Sequence, residues 1–416
     1  MRRMMITMLG LLLLGSGSPA QELRREGKYY VADITRTFTV KPGGLLRLSR
    51  IRGDVEVQAW AKNEVFVRQE LRFDVYTENE ARHALEDIQS SFRQAGEVID
   101  ISGVGGRDWI ESRFHVSAPG DFRLDVSTDG GDINIRDMKS EITLRTSGGD
   151  IELAAVGGPV RAVTSGGDIT LRTSSGDVDL KTSGGDLILE NILGLLRATT
   201  SGGDISLVSA KKDVNLHTSG GDIDLRDISG RLEASTSGGN IGVERCSGEV
   251  SVSTSGGDII LRNTGGSTRA MTSGGDVQAS NIDGGIVAKT SGGDLVLSDI
   301  RGPIDGSTSG GDVRASLSLT DFSKPHPVTL HSSGGSIELS IPEKLPATVR
   351  AEIIMDRRGW GSFDQYEIIS DFPLTMTKDH EGGREIIRAE GKLNGGGDLI
   401  DLSTSSGNIE IRKARP

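Results

Sequence analysis

Between Asp132 and Asp312 the chain alternates apolar and polar residues in short bursts that recur on a fixed period. One phrase, Thr-Ser-Gly-Gly-Asp-Ile-x-Leu, returns with little drift, as in Thr164-Ser165-Gly166-Gly167-Asp168-Ile169-Thr170-Leu171. Its acidic position falls at Asp132, Asp150, Asp168, Asp186, Asp204, Asp222, Asn240, Asp258, Asp276, Asp294 and Asp312, always 18 residues apart. Halfway along each unit a weaker strand start follows, as at Asp177-Val178-Asp179-Leu180 and Glu249-Val250-Ser251-Val252. Alternation with period two predicts strands rather than helices. A unit of two short strands and two turns buries nothing alone. Its fixed repetition therefore predicts coils stacked on a shared core.

The columns of that stack specify the core. One runs Ile133, Ile151, Ile169, Leu187, Ile205 and onward to Val313; the next runs Ile135, Leu153, Leu171, Leu189, Leu207 to Ala315. The opposite half supplies Val160, Val178, Leu196, Val214, Leu232, Val250 and Ile286, with a smaller column through Ala162, Leu180, Ala198 and Leu216. Large aliphatics facing small ones fill a narrow interior. Residues between them, such as Glu152, Arg161, Asp179 and Arg197, are predicted to face solvent. The Gly-Gly and Ser-Gly pairs are predicted to supply positive φ at the corners. Eleven coils with strands ~4.8 Å apart make a rod roughly 50 Å long.

The flanks differ. Aromatics are absent between Arg123 and Asp321 but occur before it (Tyr29, Phe38, Trp60, Phe66, Phe73, Trp109) and after it (Phe322, Trp360, Phe363, Tyr366, Phe372). Strand-like runs surround Ile51-Arg52-Gly53-Asp54-Val55-Glu56-Val57, a faint copy of the coil. Glu78 to Phe92 carries the one helical pattern, with Ala81, Ala84, Leu85 and Ile88 on one face. After Asp312 the period slips, and Ser332-Ser333-Gly334-Gly335-Ser336-Ile337 and Ser406-Gly407-Asn408-Ile409 are the last coil-like phrases. The reading is an all-β, single-stranded β-solenoid, β-helix-like or β-roll-like, of 18-residue coils with one helix in an N-terminal cap. Residues 1–20 are a signal peptide, 21–125 the N-terminal cap, 126–320 the array, and 321–416 the C-terminal coils and cap.

The signal reading rests on Met1-Arg2-Arg3, the apolar run Ile6 to Leu14, and Ser18-Pro19-Ala20 before Gln21. The apolar run is too short to span a bilayer, and no later segment is apolar enough. An exported chain, periplasmic, cell-surface or secreted after cleavage near Ala20, is expected. A single cysteine, Cys246, excludes an internal disulfide framework and reads as an odd residue on a coil. A net charge of −12 with interspersed bases argues against nucleic acid and against anionic lipid.

The exported start, the Phe38 to Val57 strands ending in Gly53-Asp54-Val55, the single helix, the Gly-Gly-Asp-Ile ladder and the closing Ser406-Gly407-Asn408-Ile409 resemble one bacterial family. It is a β-strand repeat domain of unknown function, provisionally named as adhesins. The resemblance covers nearly all of the mature chain and implies a β-solenoid at the cell envelope. This chain departs from it in the length and regularity of its middle.

The Asp column is the sharpest candidate site. Carboxylates stacked ~4.8 Å apart repel by just under about 1 kcal/mol per neighbour in water. One reading has each Asp accept hydrogen bonds from turn amides and corner hydroxyls. The other has a row of calcium ions on Asp150, Asp168, Asp186, Asp204, Asp222 and Asp258, as in secreted β-rolls. Those rolls place Asp on the face of the inward aliphatic. Here Asp168 immediately precedes Ile169, so its carboxylate is expected to point outward. The Thr146 to Thr308 and Ser147 to Ser309 columns invite an ice-binding reading, but Thr182 is in phase with Val178 and Leu180, which favours an inward corner ladder.

The six histidines, His83, His115, His217, His326, His331 and His380, show no metal-ligand spacing. No nucleophile elbow, Walker loop or dinucleotide fingerprint occurs. The expected function is non-catalytic: an adhesion-type or structural scaffold without cofactor, facing an envelope or surface partner that is protein or glycan. The alternatives are a calcium-binding β-roll, or a carbohydrate-binding or carbohydrate-active protein whose site lies in the caps, near Trp109 and Trp360.

Overall fold

The computed structural model describes residues 23–89, 91–103, 108–319, 321–356, 366–381 and 383–414. The signal-like segment 1–20, Trp360 and Phe363 lie outside the described residues.

Each coil gives one strand to each of two facing sheets. In the coil of Asp168, Ile169–Ser174 joins the first sheet and Val178–Lys181 the second. Each strand pairs in parallel with its equivalent in the next coil, Ile169 opposite Leu187 and Val178 opposite Leu196. Among the described residues each sheet contains 19 strands, and the pairings leave both as open ladders, since no bond joins the end strands. The first runs from Arg24–Glu26 to Ile368–Ser370, the second from Phe92–Ala95 to Thr375–Glu381. The predicted inward columns form one continuous core; Ile205 is 1% exposed and Leu207 is 0%, whereas Ser206 between them is exposed.

The corners differ from prediction, for a steric reason. Positive φ in the coils falls mainly on a non-glycine column five residues after the acidic position, including Ala155 (φ 54°), Thr173 (φ 64°), Asn191 (φ 54°), Asp227 (φ 60°) and Asn281 (φ 59°). Asn and Asp tolerate this left-handed region better than other L-residues, which is why they recur there. Resetting the chain at that point breaks the alternation, so two outward residues precede an inward one. A further inward column results, with Val156, Ser174, Ile192, Ala210, Ile228, Cys246, Thr264 and Ile282 all buried. The array glycines do other work. A Cβ on Gly203 would lie 2.1 Å from the carbonyl oxygen of Gly185 in the coil below. The second glycine of each Gly-Gly-Asp phrase is there because stacked corners leave no room for a side chain.

The ends are coils interrupted by insertions. Gly53–Trp60 stacks on Ile133–Arg136 and Leu45–Ile51 on Arg123–Thr128, so residues 45–60 form the first coil. The chain before and after that coil folds back as antiparallel Tyr29–Thr39, Glu64–Phe73 and Ile110–Pro119, with the helix Glu78–Gln89 laid over the sheet. Ala81, Ala84, Leu85 and Ile88 pack against Tyr30, Ile34, Leu71 and Phe73 in a second small core. Thr77 and Glu80 cap the helix reciprocally: the Glu80 amide donates to Thr77 Oγ1 (3.3 Å) and the Thr77 amide to Glu80 Oε2 (3.1 Å). At the far end, Asp398–Thr404 and Ile409–Lys413 stack on Val328–Ser332 and Ile337–Ile341, and the antiparallel strands Ala347–Asp356, Arg384–Leu393 and Thr375–Glu381 close the second sheet.

Candidate interaction surface

The corner chemistry is directed along the rod. Each carboxylate in the acidic column accepts the backbone N–H of the equivalent residue one coil on: Asp168 to Asp150 Oδ1 at 2.8 Å, Asp186 to Asp168 at 2.7 Å, Asp204 to Asp186 at 2.8 Å. Asn240 serves equally, receiving the Asp258 N–H at 2.8 Å. The donor is thus the next coil's amide, and among the described residues no corner Ser or Thr hydroxyl bonds to these carboxylates. The partial positive charge of the amide N–H that each carboxylate accepts offsets the repulsion within the column. Asp150, Asp168, Asp186, Asp204, Asp222 and Asp258 all take part in this ladder, and no group of three acids, histidines or cysteines suited to a metal forms among the described residues.

The threonine column is the buried counterpart. Thr200 is 1% exposed, donates from Oγ1 to the Gly185 oxygen at 2.9 Å, and accepts the Gly203 N–H at 3.3 Å. These hydroxyls point inward, so they form no flat outer ladder.

The other singled-out residues are dispersed. Trp109 is half-buried beside the helix core, and its carbonyl receives the Asp74 amide at 2.9 Å. His326 is buried near the Pro346 oxygen, while His115, His217 and His331 contact Glu56, Ser235 and Ser403 on separate coils. Cys246 is a core residue between Ile228 and Thr264, and burial pushes its thiol up from the usual range, which disfavours the reactive thiolate. The column reset that buries it left no glycine or proline mark in the sequence.

Solvent meets the array on the outer faces. Ion pairs join successive coils, such as Arg161–Asp179 (2.9 Å), Arg172–Glu152 (2.9 Å) and Arg245–Asp227 (2.7 Å). The guanidinium of Arg245 holds the Asp227 carboxyl below the usual range. On the second sheet Arg161 and Asp179 border a groove of about 800 Å³ reaching from Glu141 to Glu233. One wall is the corner column, including Asp177, Leu195 and Asp213; the other is the mid-strand column, including Asp179, Arg197 and Asn215. Because both columns follow the stacking axis, the groove crosses the strands. Arg161, Asp179 and Arg197 are expected singly at the solvent face, whereas the groove they help to line forms only when coils are stacked.

A two-sheet parallel solenoid whose corner side chains bind coil to coil is a structural repeat protein in class. The chain belongs to the Toastrack DUF4097 family, whose model matches residues 193–412, the later half of the array and the C-terminal end. A provisionally named cell adhesion protein from Clostridium sporogenes ATCC 15579 is 8% identical over 92% of this chain and 100% of its own, with a TM-score of 0.15. A provisionally named adhesin from Bacteroides fragilis NCTC 9343 is 12% identical over 74% of this chain and 96% of its own, with a TM-score of 0.22. Likeness at this level carries no weight for the function of this chain. No curated protein matches it. No helix among the described residues is long and apolar enough to cross a membrane.

Proposed function

We propose that this protein is a non-catalytic, exported scaffold that presents an adhesion-type surface to a partner at the cell envelope. The observation that carries the reading is the direction of the polar chemistry. The repeated Asp and Thr side chains bind neighbouring coils, and what faces solvent is an extended surface of alternating charges. Such an arrangement suits contact over length, because one coil's surface nearly repeats the next. The Arg2-Arg3 start, the apolar run to Leu14 and the small residues at Ser18-Pro19-Ala20 support export.

The test uses envelope-fraction pull-down and a glycan-turnover assay on the chain from Gln21, with fractionation of cells that express the whole chain. Removing Asp258 to Gly275 splices equivalent corners and should keep the fold, weaken envelope binding gradually, and show no turnover before or after. Recovery of the chain in the cytoplasm with residues 1–20 retained would sink export. A defined catalytic activity lost in Trp109→Ala and intact in the shortened rod would sink the scaffold reading.

A further inference from the structure

We propose that the groove on the second sheet is a binding site for a neutral glycan chain lying along the rod axis. It deepens the scaffold reading and rests on it. The groove extends over six coils, about 24 Å at the usual strand spacing. That length suits an extended polymer better than a compact metabolite.

Three observations select the class. The first is the backbone. The strands of this sheet pair in parallel on both sides, and their amides bond to adjacent coils, as Val178 does to Leu195 and Leu196 to Asp213. An extended peptide could not add to such a sheet, and only side chains remain for recognition. The second is charge. Five acids and four arginines line the groove, so no excess of either sign selects a polyelectrolyte. Alternating donors and acceptors instead match hydroxyl groups, which do both.

The third is a local irregularity at the centre. Leu195 is 47% exposed where other coils place Glu141, Pro159, Asp177, Asp213 and Arg231. Two residues on, and on the same outward side, Arg197 forms no ion pair among the described residues, whereas Arg161 and Arg231 pair with Asp179 and Glu249. Asp177 and Asp213 each direct Oδ1 to a backbone amide, at 2.9 Å and 3.0 Å, which leaves Oδ2 free to accept. Asn215 donates to Glu233 at 3.2 Å and keeps its oxygen as an acceptor. An aliphatic ledge, a guanidinium that makes no ion pair because Arg161 holds the neighbouring Asp179, and flanking acceptors together fit the C–H face and hydroxyls of a sugar ring. The groove contains no aromatic ring, so affinity should be modest, about millimolar.

The probes are cellohexaose, maltohexaose and chitohexaose as neutral chains, a heparin hexasaccharide, and a nonapeptide of Gly, Ser and Thr, titrated by calorimetry and NMR. At least one neutral hexasaccharide should bind at least about tenfold more tightly than its disaccharide, with little change from about 0.05 to about 0.5 M salt. Arg197→Ala and Leu195→Ser should weaken it by about tenfold each with unchanged melting, while Arg269→Ala, on the same face outside the groove, leaves it intact. Binding to none of the neutral chains, binding confined to heparin or the peptide, or indifference to Arg197→Ala overturns the proposal. Envelope attachment that persists without oligosaccharide binding removes this inference alone. Oligosaccharide binding without envelope attachment removes the scaffold reading alone.

Discussion

The array and its N-terminal end use the same residue types for different purposes. In the array, Gly203 is required because stacked corners touch, and Thr200 ties one coil to the next. In the end, Gly43 has a φ of 81° in open space, and Thr77 starts a helix. The array has an aliphatic core and parallel strands, while the end adds aromatics, antiparallel strands and a second core. A repeating unit satisfies its neighbours and so cannot terminate itself. Closing a stack requires residues that do not repeat, which is why both insertions break the period.

The largest expected effect sets the two cores against each other. Ile205→Asp buries an unpaired charge in the continuous core and should cost upward of ~4 kcal/mol, lowering the main melting transition. The outward Ser206→Asp should cost less than ~1 kcal/mol. Leu85→Asp should release the helix while leaving that transition nearly in place, because the helix packs in a separate cluster. Equal melting shifts for Ile205→Asp and Leu85→Asp would show a single cooperative core.

The glycines come next. Gly203→Ala forces a Cβ onto a backbone oxygen and should cost about 3 kcal/mol. Gly202→Ala has its nearest atom at 3.6 Å and should be nearly neutral. Gly43→Ala lies between them, at about 1 kcal/mol of left-handed strain. Denaturant melts that ranked Gly202 above Gly203 would refute the stacking account.

The threonines give a smaller contrast. Thr200→Val leaves the Gly185 oxygen and Gly203 amide unpaired in the core and should cost about 2 kcal/mol. Thr77→Ala should cost about 1 kcal/mol, confined to faster hydrogen exchange in the helix. Global protection lost equally in both variants would argue against local capping.

The smallest effects concern corner conformation and metal. Ala155→Gly relieves a left-handed alanine on the surface and should raise stability by up to about 1 kcal/mol. Destabilisation would place the positive φ elsewhere. Chelator should leave the melting temperature unchanged, since an amide already offsets the charge of each Asp in the column and no group of three metal-ligating side chains forms among the described residues. A rise of many degrees with millimolar calcium would instead reveal a site specific to the folded state.

Period and alternation by themselves determined the strands, the inward Ile205 and Leu207 columns, and the stacking of coils. Each follows from local spacing that every repeat restates. The helix was legible for the same reason, from Ala81, Ala84, Leu85 and Ile88. Three things were decided only by tertiary structure. Which residues carry positive φ depends on how closely corners stack, so glycine marked contact and Asn, Asp or Ala took the strained position. Cys246 entered the core because that strained residue reset the alternation. The groove beside Leu195 and Arg197 joins residues from six coils, and no stretch of sequence contains it. Short-range order is encoded in spacing, whereas steric contact and surface shape arise only between coils.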